Sequence, residues 1–164
     1  MTEEAMTGGG LSQLGDLAEF VELSPADIDN VAQAWRVFAD RVPEILDEFY
    51  ANRIMTDDKW RMKDFCLVAL KKKQVAYWQV LFSGTLDEVY STHARNIAMK
   101  HKHYGVTLSD YIASYGWFLN AFEKALRAGG VSQDRLGAMM ASIRRLVFLD
   151  MTIAASTYYV VYID

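Results

Sequence analysis

The near absence of proline is the feature that most constrains this fold, because Pro25 and Pro43 are the only two prolines in 164 residues. Proline interrupts helices, and no segment of any length alternates apolar and polar residues as a strand would. Apolar side chains instead recur at three- and four-residue steps from Lys59 to Phe82, which is the spacing of one helix face. We therefore predict an all-α fold in a single domain, since the chain is long enough for one core.

Residues with strong capping preferences predict where the helices begin and end. Ser24 is a typical N-cap before proline, Pro43 breaks or kinks the chain that follows, and Ser109 is a second candidate cap. These signals predict helices over residues 25–40, 43–53, 59–82, 86–102, 110–128 and 132–162. The last would be about 45 Å long at 1.5 Å per residue, more than a domain of this size needs. We expect its outer end to contact a partner.

Charge argues against a nucleic-acid partner, and cysteine content argues against an internal disulfide. The net charge is −4 and the pI is about 5.4, which argues against a nucleic-acid partner because phosphate binding needs a basic face. The lysine run at residues 70–74 is typical of a solvated helix face. The single cysteine, Cys66, cannot form an internal disulfide, which suits a reducing, cytoplasmic location.

The two ends of the chain carry no predicted membrane segment. Residues 1–20 lack the features of a signal peptide and are predicted to be a flexible lead-in to a domain over 21–164. The run from Leu146 to Ile163 is the one candidate membrane span, but Asp150 and several hydroxyl side chains interrupt it. It is predicted to be a buried helix, and no membrane span is expected.

The stretch "HARNIAMKHKHYGV" holds all three histidines of the chain, His93, His101 and His103. On one helix His93 and His101 would lie about 12 Å apart, too far to share a metal ion. His101 and His103 are about 200° apart around the helix and point away from each other. A histidine-based zinc site is therefore not expected.

His101 lies on a helix face of small and apolar residues, namely Ala94, Ile97, Ala98 and Gly105. A lone histidine on such a face is more often a core residue. The alternative is that the small residues leave room for a flat cofactor such as haem, with the imidazole as its axial ligand. The abundance of aromatic residues and the helical fold favour this alternative.

The segment "HKHYGVTLSDYIASY" resembles the proximal-histidine motif of the globin domains of bacterial globin-coupled sensors, approximately H-x-R-I-G-L-x-P-x-W-Y-x-x-A-Y. His101 matches the motif's histidine and Gly105 its glycine, and Tyr111 and Tyr115 match its last two aromatic positions. Three further segments resemble the family: "ILDEFY" (45–50), "YWQVLFSGTLDEVY" (77–90) and "LVFLDMTIAASTYY" (146–159). The chain departs from the motif at His103, Tyr104, Val106, Leu108 and Asp110.

The resemblance implies a globin fold of the sensor type with a long C-terminal helix, binding haem b. It implies that His101 is the iron ligand and that Tyr50 is the distal hydrogen-bond donor to O2, with CO and NO as further ligands. Leu70 would form the distal wall. Ile97, Tyr111, Trp117, Phe118 and Phe148 are the candidate pocket-lining residues, each of which could instead be plain core.

The resemblance also implies how such a domain would signal. The last two helices would form a four-helix bundle with a second copy and pass the ligand state to a C-terminal output domain, which could be a diguanylate cyclase, a histidine kinase or a chemotaxis transducer. No residues of such an output are in this chain, so it is not expected to be an enzyme. Two alternatives remain: a stand-alone haem protein with O2 or NO chemistry, and a helical dimerisation module in which His101 is core.

Overall fold

A computed structural model describes residues 9–52 and 67–158 of the chain. Within these ranges the regular structure consists of seven α-helices and one 3-10 turn, and no strand is present. The helices are α1 (Gly9–Phe20), α2 (Pro25–Phe38), α3 (Val42–Ala51), α4 (Leu67–Ser83), α5 (Glu88–His103), α6 (Leu108–Ala128) and α7 (Gln133–Tyr158). The predicted all-α class is confirmed. Cys66 and the first eight residues of the helix predicted over 59–82 lie outside the described ranges.

Helix starts follow the capping chemistry of the sequence. The backbone N–H of Asp27 donates to Ser24 Oγ at 3.2 Å, and the N–H of Ser24 donates to Asp27 Oδ2 at 2.9 Å, which makes a capping box at the start of α2. Thr107 and Asp110 make the same box at the start of α6. The predicted cap at Ser109 is therefore corrected to Thr107, since the aspartate three residues after Thr107 completes the box.

The N-terminal segment differs from the predicted lead-in over residues 1–20. Residues 9–20 form α1, which contacts α5. Apolar residues at three- and four-residue spacing explain this, because they place one face of the segment on the core. These residues are Leu14, Leu17, Ala18 and Val21.

Helix α7 is the centre of the fold and packs against α2, α5 and α6. Aromatic rings fill the space between α2, α4 and α6. The Phe38 ring stacks on Phe122 with centroids 5.0 Å apart and meets Phe82 edge-on at 5.4 Å. Much of the aromatic content thus forms the core on which the remaining helices are positioned.

Two buried carboxylates attach α7 to its neighbours. Asp27 Oδ1 accepts hydrogen bonds from Ser142 Oγ at 2.7 Å and from Arg145 Nη1 at 3.1 Å. Burial acts to raise the pKa of Asp27, but the hydrogen bonds from Ser142 and Ser24 and the charge of Arg145 outweigh it and lower the pKa to about 2. This carboxylate is therefore ionised and joins the start of α2 to α7.

The second carboxylate, Asp150, is completely buried. Three phenol groups donate to it from three other helices: Tyr77 of α4 and Tyr90 of α5 to Oδ1, and Tyr115 of α6 to Oδ2. Burial raises the pKa of Asp150 although the three hydrogen bonds oppose the shift. We call this group the Asp150 cluster.

None of the helices in the described ranges has both the length and the apolar character needed to cross a membrane. The candidate membrane span predicted from Leu146 to Ile163 belongs to α7 as far as Tyr158. Its side chains there contribute much of the core. Its remaining residues, 159–163, lie outside the described part of the chain.

Candidate functional site

His101 lies in the last turn of α5, and its imidazole is partly buried. Its Nδ1 lies 2.9 Å from the carbonyl oxygen of Ile97, one helical turn earlier. Burial lowers the pKa of His101, although the bond to Ile97 opposes the shift, so the ring is neutral near pH 7. Because a carbonyl can only accept, Nδ1 carries the proton and Nε2 keeps its lone pair. The ring is thus prepared to bind a metal through Nε2.

The corner after His101 fixes where α6 begins. Gly105 has a φ of 80°, a conformation that favours glycine, and its N–H donates to the carbonyl of Lys102. The N–H of Val106 then donates to the carbonyl of His101 at 2.9 Å. This turn brings Tyr111 of α6 edge-on to His101, with ring centroids 5.4 Å apart.

His93 and His103 are both exposed and lie apart from this arrangement. The His93 ring meets Tyr77 edge-on at 5.4 Å, and His103 meets the neighbouring Tyr104 at 5.1 Å. Across residues 9–52 and 67–158, no three His, Cys, Asp or Glu side chains are grouped so that they could hold a metal ion. If His101 binds a metal, it would therefore be the single ligand that the described residues supply.

Tyr50 lies near the end of α3, where its hydroxyl donates to Gln74 Oε1 of α4 at 2.9 Å. Burial raises the pKa of Tyr50 to about 12, so the phenol keeps its proton. An ion pair between Lys71 and Asp47 fastens α4 to α3 beside it, and Lys71 Nζ lies 5.9 Å from the Tyr50 ring centroid. The Tyr50 hydroxyl is therefore held as a donor.

Gln74 is a site residue that was not predicted from the sequence. The signal was present, because Gln74 is a polar residue four positions after Leu70 within an apolar periodic stretch. Residues four apart share one face of a helix, and both side chains are partly buried. Gln74 therefore adds an amide to the face of α4 on which Leu70 was predicted to form an apolar wall.

Helix α6 contacts both the His101 region and the Tyr50 region. Tyr111 contacts His101, whereas Phe118 and Trp117 contact Phe49 of α3, with ring centroids 4.3 and 5.3 Å apart. Phe49 in turn meets Tyr50 edge-on at 5.1 Å. The two groups of contacts on α6 are six residues apart, which is about 9 Å along the helix.

The remaining predicted pocket residues separate into two groups. Ile97 is partly buried, packs on the core and supplies the carbonyl that binds His101. Phe148 is 53% exposed. It lies two positions before the buried Asp150, about 200° around α7, which places it on the outer face. The structure does not bring Phe148 to the other predicted site residues.

The small residues on the His101 face have a packing explanation. Ala94 and Ala98 are buried, and α5 makes its most extensive contacts with α7. Small side chains let two helices approach closely, so close helix packing is enough to account for these two alanines. Space for a cofactor at His101 therefore does not follow from Ala94 and Ala98.

Comparison with known proteins places this arrangement in a family. The sequence matches the family model described as Protoglobin over residues 11–162. The chain belongs to the protoglobin family. Among solved structures, this protoglobin is similar to the globin domain of the Geobacter sulfurreducens globin-coupled sensor, with a TM-score of 0.78 and 12% identity over 88% of this chain and 97% of that chain. At that identity the likeness establishes the globin fold alone. No curated protein matches the sequence.

Membership of a globin family implies haem binding, and the residues of this protoglobin fit that cofactor. His101 offers a neutral imidazole whose Nδ1–H is held by Ile97 and whose Nε2 has no partner among the described side chains. Tyr50 offers a protonated phenol beside aromatic side chains. The predicted family resemblance and fold are confirmed, while the individual roles of His101 and Tyr50 remain predictions.

Proposed function

We propose that this protoglobin is a haem-binding gas sensor domain with haem b as cofactor, His101 as the iron ligand and O2 as its principal ligand. The observation that carries the proposal is the partly buried, neutral imidazole of His101 within a globin fold, oriented by the Ile97 carbonyl. Haem supplies an iron centre that binds small gases reversibly, including O2, CO and NO. The chain's own residues decide how firmly each gas is retained.

On the proximal side, the bond from Nδ1–H to the Ile97 carbonyl has two effects. It fixes the rotation of the ring, and it increases electron density at Nε2, as partners behind metal-binding histidines generally do. The Tyr111 ring, edge-on at 5.4 Å, limits the tilt of the imidazole. Because Tyr111 belongs to α6, a movement of His101 would displace Tyr111 and so act on α6.

On the distal side, Tyr50 provides the hydrogen-bond donor and Gln74 competes for its proton. In this structure the hydroxyl donates to Gln74 Oε1, so donating to a gas requires that this bond be exchanged. A neutral hydrogen bond contributes about 1 kcal/mol net, and loss of this bond would offset part of the stabilisation of O2. Gln74 would therefore moderate O2 affinity, and it would affect the less polar CO less.

The signalling part of the proposal concerns α6 and α7. Both present large apolar side chains to solvent, namely Ile112 at 47% and Phe148 at 53% exposure. These faces would pair with a second copy as a four-helix bundle and act on a C-terminal output domain of the parent protein. The chain itself would perform no catalysis. The direct contact of α5 with α7 supports a path from His101 to that surface.

An absorption spectrum after purification with added haem tests the cofactor assignment. We expect a Soret band that is lost or shifted by His101→Ala and retained in the matched variant His103→Ala, because His103 is exposed on the same helix. A wild-type protein without a Soret band would refute haem binding. A Soret spectrum unchanged by His101→Ala would refute the ligand assignment.

Sedimentation of two variants tests the dimer. Phe148→Glu should convert a dimer to a monomer, since a charge in an apolar interface is costly to bury. Phe20→Glu is the matched control, because Phe20 is an apolar side chain that is 85% exposed and belongs to α1, outside the two helices of the proposed bundle. Equal behaviour of both variants would contradict the proposed interface.

A further inference from the structure

A small cavity of about 80 Å³ lies between α1, α5 and α7. Its polar lining consists of Ser91 and Arg95 from α5 and Thr152 and Ser156 from α7, and Leu14 of α1 contributes to its apolar wall. Arg95 is six residues before His101, about 9 Å along α5, so the cavity is separate from the candidate haem site. Its volume is several times the ~10–15 Å³ that one water molecule needs.

Two groups on the α5 wall have no partner among the described residues. Ser91 is 2% exposed, and within that part of the chain its Oγ makes no hydrogen bond. The ion pairs of the described residues join Lys71 to Asp47, Arg127 to Glu123 and Arg145 to Asp27, so Arg95 takes part in none of them. A buried hydroxyl without a partner is unfavourable, and natural proteins rarely leave one. Both groups are donors facing a cavity that no carboxylate lines.

The α7 wall has the opposite hydrogen-bonding character. Thr152 Oγ1 donates to the carbonyl of Phe148 at 2.8 Å, and Ser156 Oγ donates to the carbonyl of Ile153 at 2.6 Å. Each hydroxyl has one proton, so both present only lone pairs to the cavity. A matching ligand must accept hydrogen bonds from α5 and donate one to α7.

We infer that this cavity binds a small protonated oxyanion, of the class of hydrogen phosphate or bicarbonate. Its unprotonated oxygens accept from Ser91 Oγ and the Arg95 guanidinium, and its O–H donates to Thr152 or Ser156. Arginine favours such ligands because its planar fork of donors matches two oxygens at once. Arg95 is partly buried, and Thr152 and Ser156 are exposed, so the pocket opens to solvent. Water could therefore satisfy each donor separately, whereas an oxyanion accepts from Ser91 and Arg95 at once.

Titration calorimetry of the full chain near neutral pH tests this inference, with inorganic phosphate as the first probe. Sulfate at the same ionic strength is the matched anion, because it has similar size and acceptors but no O–H at that pH. We expect phosphate to bind more tightly than sulfate. Bicarbonate in a separate titration distinguishes the two members of the class, and binding of either one supports the site.

Three variants locate the binding on the α5 wall. Arg95→Met should weaken it about tenfold or more, since it removes the charge-assisted hydrogen bonds, and Ser91→Ala should weaken it about fivefold. Arg144→Met removes a positive charge from an exposed position on α7 and should change nothing. The inference is overturned if neither phosphate nor bicarbonate binds, which would mean that the cavity holds water only. It is also overturned if sulfate binds as tightly as phosphate, or if Arg144→Met weakens binding as much as Arg95→Met.

Discussion

The two oxygens of Asp150 have unequal numbers of partners, and this makes the Asp150 cluster testable by single hydroxyl deletions. Oδ1 accepts from both Tyr77 and Tyr90, whereas Oδ2 accepts from Tyr115 alone among the described residues. Tyr115→Phe therefore leaves a buried carboxylate oxygen without a partner, while Tyr90→Phe leaves Oδ1 with Tyr77. Tyr77→Phe, Tyr90→Phe and Tyr115→Phe each remove one hydroxyl group, yet Tyr115→Phe should lower the free energy of unfolding more than the other two.

The magnitudes follow from the partners that remain. A hydrogen bond to a charged group contributes about 1.5–3 kcal/mol, so Tyr115→Phe should lower the free energy of unfolding by about 2 kcal/mol. Tyr77→Phe and Tyr90→Phe should each lower it by about 1 kcal/mol, because the other phenol still satisfies Oδ1. The double variant Tyr77→Phe/Tyr90→Phe should lose more stability than the sum of the two single variants. It leaves Oδ1 without a hydrogen bond, as Tyr115→Phe does for Oδ2.

Urea unfolding at two pH values, followed by far-UV circular dichroism, measures these differences. Burial raises the pKa of Asp150, so the stability it contributes is present at low pH and is lost as pH rises through the folded-state pKa. Removing a donor raises that pKa further, so the deficit of Tyr115→Phe should be larger at pH 8 than at pH 5. Equal losses for Tyr115→Phe and Tyr90→Phe, or strictly additive losses in the double variant, would refute the reasoning.

Four other substitutions test contacts elsewhere in the fold. Gln74→Leu should raise O2 affinity about fivefold, because it frees the Tyr50 hydroxyl. Tyr50→Phe should speed O2 dissociation much more than CO dissociation in flash photolysis. Equal changes for both gases would contradict the distal assignment of Tyr50. Protonation of Asp27 should cost about 2 kcal/mol of stability between pH 4 and pH 2, since its pKa is lowered to about 2. In acid titrations of the unfolding midpoint, Asp27→Asn should be less sensitive to this pH change than wild type by about that amount. Gly84→Ala should cost about 2 kcal/mol in thermal unfolding, because Gly84 has a φ of 73° and a Cβ there would lie 2.4 Å from Ile28 Cγ2, whereas Ala at the open Gly116 should cost nothing.

The features that sequence predicted well are those determined by neighbouring residues. Ser24 and Pro25 define the start of α2 because a helix cap depends on groups three residues apart. Pro43 was expected to interrupt the chain, and a 3-10 turn over Ala39–Arg41 does separate α2 from α3. The family resemblance at residues 101–115 was confirmed by the protoglobin match, since such a motif is local in sequence.

The features that sequence missed depend on residues far apart in the chain. Asp150 was interpreted only as an interruption of an apolar run, because its partners lie 35, 60 and 73 residues away on three helices. The role of Gln74 requires α3 and α4 to be side by side. Helix α1 was missed because its sequence starts with a run of glycines, which disfavours a helix. A short helix gains most of its stability from packing, which the local sequence does not show. Phe148 was predicted to line a pocket because it is a large apolar residue. Which side of α7 it occupies depends on how that helix packs, and it lies on the exposed side.

The central position of α7 affects how the protein is made. Ribosomes release the chain from its N-terminus, so α2, α5 and α6 emerge before the helix that packs against all three. Until then Asp27 lacks Ser142 and Arg145, and the three tyrosines of the Asp150 cluster lack their acceptor. The nascent domain would therefore hold apolar surface exposed until α7 emerges, a stage at which chaperones bind such chains. A stop codon that removes α7 should yield aggregated protein rather than a smaller folded domain.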